Sequence, residues 1–279
     1  MRNRSNGSFA AILGIATALA VAPAAHAAQP FLIDDAEIGN KGDTEIDVLT
    51  TATRAASGTT GVVPSVETDY NIDWRLQLHS ILPLAYAHMP PRGTQVGVGD
   101  IELGIKLRID GNVEEKDDNR PDDAKPPGPI EVAIAPAVDL PSGDAQRGLG
   151  TSRPHVFLPV WVSKRLGDGW QPFGGGGYWI NPGTGNRNWW FFGTGVQKTT
   201  GALMLGGEVF HSTPATVGAK PATGFDIGLN YTLDYGLDGD HELDDAKNHH
   251  HLLLSVGRGA RNASTTDRYS VILGYQATF

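Results

Sequence analysis

The sequence predicts an all-β protein, a closed antiparallel up-and-down transmembrane β-barrel of about twelve strands. Three observations predict it. Apolar and polar residues alternate with period two along most of the chain. Many alternating runs approach the roughly nine to eleven residues of a tilted membrane-crossing strand, and aromatic residues gather at their ends.

In chain order the runs are Thr44–Thr53, Val62–Ile72, Trp74–Tyr86, Asp100–Ile109, Pro129–Leu140, His155–Leu166, Trp170–Asn181, Asn188–Lys198, Leu203–Ser212, Gly224–Asp234, His251–Gly259 and Tyr269–Phe279. The fourth shows the pattern best: Ile101, Leu103, Ile105, Leu107 and Ile109 alternate with Glu102, Gly104, Lys106 and Arg108. Gly167-Asp168-Gly169, Pro182-Gly183-Thr184-Gly185 and Thr199-Thr200-Gly201 read as turns, and 110–128 and 235–248 as long loops.

Alternation also suits a soluble sandwich or a lipocalin-like barrel, with the apolar face turned inward. The membrane reading is favoured by the number and length of the runs and by Tyr70, Trp74, Tyr86, Trp170, Trp179, Trp189, Trp190, Tyr231 and Tyr269, which suit interfacial girdles. Gly174–Gly177, Gly193, Gly195, Gly206 and Gly207 are expected to permit the coiling that closure requires. Pro64, Pro83, Pro136, Pro159 and Pro172 fall inside strands with two neighbours, so bulges or breaks are expected there.

Residues 1–27 read as an export signal, with Arg2 and Arg4 before an apolar run and Ala25-His26-Ala27 as the cleavage site. Residues 28–279 then form a single barrel domain in the outer membrane. The composition excludes other classes. With 22 Lys+Arg against 31 Asp+Glu, the chain has no basic stripe for nucleic acid. The absence of cysteine excludes disulfides and thiolate chemistry.

If the polar face lines a lumen, the residues along a solute path are Glu67, Asp69, Asp73, Arg75, Glu102, Lys106, Arg108, Glu131, Glu208 and Asp226. Mixed signs suit a narrow passage braced by ion pairs, and the acidic excess disfavours anions. A hydrolase reading fares poorly: His79–Ser80 and His211–Ser212 are adjacent and point to opposite faces, and no G-x-S-x-G is present. The acidic run 238–245 with His249–His251 departs from EF-hand spacing and reads as a solvated loop. Neither a metal, a cofactor nor a catalytic residue is expected. Counting back from a periplasmic C-terminus puts both long loops at the periplasmic end, where turns are usually short.

The terminal Tyr269-x-Val271-x-Leu273-x-Tyr275-x-Ala277-x-Phe279 resembles the C-terminal strand signal of Gram-negative outer-membrane proteins, implying the barrel-assembly machinery as a partner. Gly97-Val98-Gly99-Asp100-Ile101-Glu102-Leu103-Gly104-Ile105-Lys106, Leu140-Pro141-Ser142-Gly143-Asp144, Gly148-Leu149-Gly150-Thr151 and Asp34-Asp35 leading into Gly42-Asp43-Thr44-Glu45 resemble the outer-membrane transporter family named for the MetA pathway of phenol degradation. That resemblance implies passage of a small hydrophobic or aromatic molecule through a barrel set in outer-membrane lipid. The rival expectations are a structural or surface-interaction barrel with a filled lumen and, third, an outer-membrane hydrolase.

Overall fold

The computed structural model describes residues 30–109, 130–233 and 249–279. The expectations for 1–27, 110–128 and 238–245 lie outside the described residues. Fourteen strands follow in order: β1 Thr44–Ala55, β2 Gly58–Asp73, β3 Leu76–Met89, β4 Gly93–Val98, β5 Ile101–Arg108, β6 Glu131–Ile134 and β7 Ala137–Leu140, then β8 His155–Ser163, β9 Trp170–Ile180, β10 Trp189–Thr200, β11 Leu203–Ser212, β12 Ala222–Thr232, β13 His249–Arg261 and β14 Tyr269–Thr278.

All pairings are antiparallel, and β1 pairs with β14 from Glu45↔Thr278 to Arg54↔Tyr269, which closes the sheet on itself. The fourteen strands make twelve staves. β4 and β5 both pair with β3 as one interrupted stave, and β6 and β7 lie end to end between β5 and β8 as another. The sequence runs missed β4, whose short Gly93–Val98 segment extends the Asp100–Ile109 run backward rather than adding a stave.

Proline explains where the staves break. It has no N–H to donate to a ladder, so its neighbour must tolerate an unanswered carbonyl. Pro64 sits in the β2 bulge between Val62 and Ser65, and Pro136 separates β6 from β7. Pro83 lies opposite the β4–β5 break, where its carbonyl accepts from Gly99, and Pro159 lies opposite the β6–β7 break, where its carbonyl accepts from Ala135. Two breaks therefore pair with two prolines across the sheet.

Apolar side chains cover the outside. Leu82, Val96, Leu205, Ile227, Val256 and Leu273 are among those exposed, while Glu67, Asp69, Glu102, Glu208 and Asp226 are each no more than 4% exposed and face inward. A soluble barrel would show the reverse, so the outward apolar band is the face a bilayer would solvate. Tyr70, Trp170, Trp190, Tyr231 and Tyr269 are exposed, as interfacial girdles require. Trp179 and Trp189 are not. Both point inward and are buried, because they share the inward parity of their strands.

Pairing also fixes the two ends. Thr44 and Phe279 share one end with the short turns Trp74-Arg75 and Gly201-Ala202, and the connections 109–130 and 233–248 leave and re-enter the sheet at that same end. The placement expected by counting strands is thus found, with the two longest inter-strand connections beside the chain's entry into the barrel.

Candidate functional site in the barrel lumen

Residues Pro30–Asp43 form no strand and fold back inside the barrel. The composition of this stretch suits that place. Phe31, Ile33, Ala36 and Ile38 are at most 2% exposed, and burying a Phe or Ile side chain is worth about 1.5–3 kcal/mol. Its irregular backbone must find polar partners inside, and the wall supplies them as side chains. Glu208 accepts from the N–H groups of Leu32 (2.7 Å) and Ile33 (2.8 Å), and Ser163 Oγ accepts from Ala36. Lys106 Nζ donates to Asp34 Oδ1 at 2.9 Å and to the Glu37 carbonyl, and Arg108 donates to the Ile38 carbonyl. Arg165 and Gln171 both donate to Glu37 Oε1.

Glycines on the inner face make the room. A Cβ at Gly206 would stand 2.8 Å from the Phe31 ring, at Gly228 3.0 Å from it, and at Gly193 2.7 Å from Ile33. The expectation for Gly193 and Gly206 was coiling for closure, but what the structure shows at both is a recess that the plug fills. Beside the plug remains a cavity of about 20 Å³, lined by Asp34, Glu67, Asp69, Gln77, His79 and Lys106. That is room for one water molecule and none for a solute.

The wall is chemically two-sided. On β2, β3 and β5, the inward residues include Glu67, Asp69, His79, Glu102 and Lys106. The His79 ring lies between Asp69 (Nδ1 to Oδ1, 2.6 Å), Glu67 (Nδ1 to Oε1, 3.7 Å) and Glu102 (Nε2 to Oε1, 3.5 Å). Donor atoms of Glu67, Asp69 and His79 lie within 4.8 Å of one another, a set able to ligate a metal, although Asp69 already engages the ring Nδ1. On β8, β9 and β10 the inward residues are aromatic. Phe157, Trp179 and Trp189 are cross-strand partners in one row, stacked at 4.5 Å and 5.4 Å between centroids. Phe191 and Phe210 continue that wall. The indole N–H groups of Trp161 and Trp179 are buried with no hydrogen-bond partner.

Of the ten residues expected along the lumen, Glu67, Asp69, Glu102, Lys106, Glu208 and Asp226 are buried there, and Arg108 and Glu131 face each other at 3.7 Å near its lower rim. Asp73 and Arg75 are corrections. Asp73 ends β2 and accepts from the N–H groups of Arg75 and Leu76, while the exposed Arg75 has its guanidinium 4.1 Å from the centroid of the Trp74 ring. Asp73 is the last residue of β2, and the alternation was carried past it to Arg75, in the turn that Asp73 shapes. Sequence reasoning did not place Asp34, Asp35 and Glu37 in the lumen, because the plug has no period, nor Asp47 or His79, whose inward parity was readable.

Burial raises the Asp34 carboxyl to about 7, against the pull of the Lys106 charge, and Asp35 is raised too, by burial and then by the Glu37 charge. At the opposite end, burial also raises Asp267 in the β13–β14 turn.

At the β4–β5 break the short motifs meet in one knot. Asp100, at the β4–β5 break, accepts from Gly143 N–H (2.9 Å), Thr151 N–H (2.6 Å) and the Thr151 hydroxyl (2.6 Å). Ser142 Oγ bridges the Gly99 carbonyl and the Ile101 N–H, each at 2.9 Å. Gly143 and Gly150 must lack side chains here, since a Cβ on either would strike the other's backbone.

No family model matches the chain, and neither does any curated protein. Solved structures do. The COG4313 outer membrane channel from Pseudomonas putida F1 superposes with a TM-score of 0.65 at 17% identity, over 88% of this chain and 98% of that one. The KdgM porin gives 0.54 at 12% identity, over 84% and 99%, and the NanC porin 0.53 at 9%, over 82% and 98%. At these identities the likeness is one of fold, and it agrees with the pairing described above: the chain is a closed twelve-stranded antiparallel barrel with the architecture of outer-membrane channels.

Proposed function

We propose that the protein is an outer-membrane channel for a small solute, closed at rest by residues 30–43 and opened when that segment leaves the lumen. One observation carries the reading: between Pro30 and Ile38 the plug is held to the wall through side chains of Glu208, Ser163, Lys106, Arg108, Arg165 and Gln171, and not by strand pairing. It can therefore depart without unzipping the sheet. The apolar outer face supports a bilayer setting, and the fold of the channels above supports a conducting role. Export through residues 1–27, outer-membrane localisation and assembly through the Phe279-ended strand belong to the same proposal. So does membership of the MetA-pathway family, which the Asp100 knot supports by joining the motifs that carried the resemblance.

Liposome swelling with the full-length processed chain tests the reading, alongside Phe31→Ala to weaken the plug. Flux that rises in the variant is the expected result. No flux from either protein would favour the filled structural barrel, the reading to which the 20 Å³ residual cavity lends itself. N-terminal sequencing of the outer-membrane fraction checks cleavage after Ala27.

A further inference from the structure

The plug's own tip describes what the lumen binds. Phe31 packs its ring against Phe173, centroids 5.5 Å apart, over the space left by Gly206 and Gly228. One and two residues on, two N–H groups converge on the two oxygens of Glu208. The recess thus holds an aromatic ring with a forked pair of donors beside it.

Glu208 does not stand alone. Asp226 is its direct cross-strand partner, is 3% exposed, and has an Oδ1 that accepts no hydrogen bond. Among the described residues, neither carboxyl has a Lys, Arg or His within salt-bridge distance, whereas the acids on the far wall are served by His79 and Lys106. When the plug withdraws, Glu208 loses both donors and faces the opened lumen beside Asp226. Two adjacent carboxyls, hydrogen-bonded to each other and stripped of the plug's donors, favour a donor-bearing cation that replaces what was lost.

Resting on the reading of a displaceable plug, we propose that the recess formed by Phe173, Gly206, Gly228, Glu208 and Asp226 is the channel's solute site, and that it takes an aromatic cation, a ring bearing an ammonium or amidinium group. The ring replaces Phe31 and the charged donors replace the Leu32 and Ile33 N–H groups. An aromatic carboxylate of the same size would meet two acids where it needs a donor. A neutral aromatic alcohol would bring one uncharged donor where the plug brings two.

The test uses the full-length processed protein in liposomes, with benzylammonium, benzyl alcohol and phenylacetate as probes, each with Phe31→Ala run in parallel. Benzylammonium should enter at least roughly fivefold faster than phenylacetate, in keeping with selection by fixed charges of one sign. Glu208→Gln, which keeps the shape of the side chain, should bring the two rates within about twofold of one another. Gly228→Leu, which fills the recess without altering charge, should slow benzylammonium while leaving a small inorganic cation less affected. Equal entry of the charged probes into wild-type liposomes, or a preference that survives Glu208→Gln in a protein that still shows heat-modifiable mobility, overturns the site. No entry of any probe, even with Phe31→Ala, overturns instead the displaceable plug on which it rests.

Discussion

Lys106 and Asp34 meet across the lumen at 2.9 Å, the ammonium of the wall against a carboxylate of the plug, both buried. The same ammonium reaches the Glu37 carbonyl at 3.3 Å and stands 3.9 Å from Asp35, so one side chain grips three consecutive features of the inserted segment. Removing one partner from a buried pair typically costs about 3–5 kcal/mol, because the other charge is left enclosed. Lys106→Met should therefore loosen the plug more than any single apolar truncation within it. The native chain has no cysteine, so a Leu32→Cys reporter labelled by a water-soluble maleimide reads this directly. Labelling should accelerate in Lys106→Met, and an unchanged rate would show that the pair does not hold the segment.

Proton binding should bias the plug. Asp34 titrates near 7 when docked, through burial, and at its ordinary 3.8 once the segment is in water. Across that interval the docked form holds a proton that the released form gives up, so raising the pH favours release. Docking is strongest below the lower value and weakest above the upper one. Conductance in planar bilayers should accordingly be greater at pH 8 than at pH 5, and Asp34→Asn should flatten the difference. A conductance that falls with rising pH in the wild type would contradict this.

The inner-face glycines make a steric prediction. A methyl at Gly228 would stand 3.0 Å from both the Phe31 ring and Pro30, and 3.2 Å from the Leu254 carbonyl. Crowding of that kind costs about 1–3 kcal/mol, and the plug yields more readily than a paired strand. Gly228→Ala should raise the Leu32→Cys labelling rate while heat-modifiable mobility on SDS gels stays as in the wild type. Loss of that mobility would place the cost in the barrel instead.

Asp100 predicts a separable defect. Its carboxylate satisfies Gly143 and both donors of Thr151, and bonds to a charged acceptor are worth about 1.5–3 kcal/mol each. Asp100→Ala should expose the segment between Pro141 and Pro154 to limited proteolysis and lower the melting temperature. It should leave Leu32→Cys labelling nearly unchanged, since the knot's hydrogen bonds do not involve residues 30–43. A coupled rise in labelling would link that segment to the plug.

Period two was enough to count the staves and to assign their faces. At the β4–β5 break the parity shifts by one residue: Val96 and Val98 are outside before it, Leu103 and Ile105 after it. The same rule placed six of the ten lumen residues in the buried interior. It was carried into the β2–β3 turn at Arg75, next to Asp73 at the end of β2, and it was overlooked at Trp179 and Trp189, where an aromatic at a strand end was read by type rather than by parity. It was silent on Phe31 to Ile38, because an inserted segment obeys no helical or strand repeat and is held by partners some 70 to 176 residues away. The signal available was compositional: apolar and acidic residues with no repeat, placed just ahead of the first strand.

The plug and β1 are one stretch of chain, and β1 is the strand whose pairing with β14 seals the barrel. The joint lies at Gly42 and Asp43, both hydrogen-bonded to the backbone of Asn71 in the neighbouring strand. A released plug is thus on a short leash fixed at the mouth, and its local concentration there is of millimolar order. Closing is then an intramolecular event, independent of how many copies the membrane holds. A channel opened in the proposed way would carry its stopper beside the orifice, already tethered for reclosing.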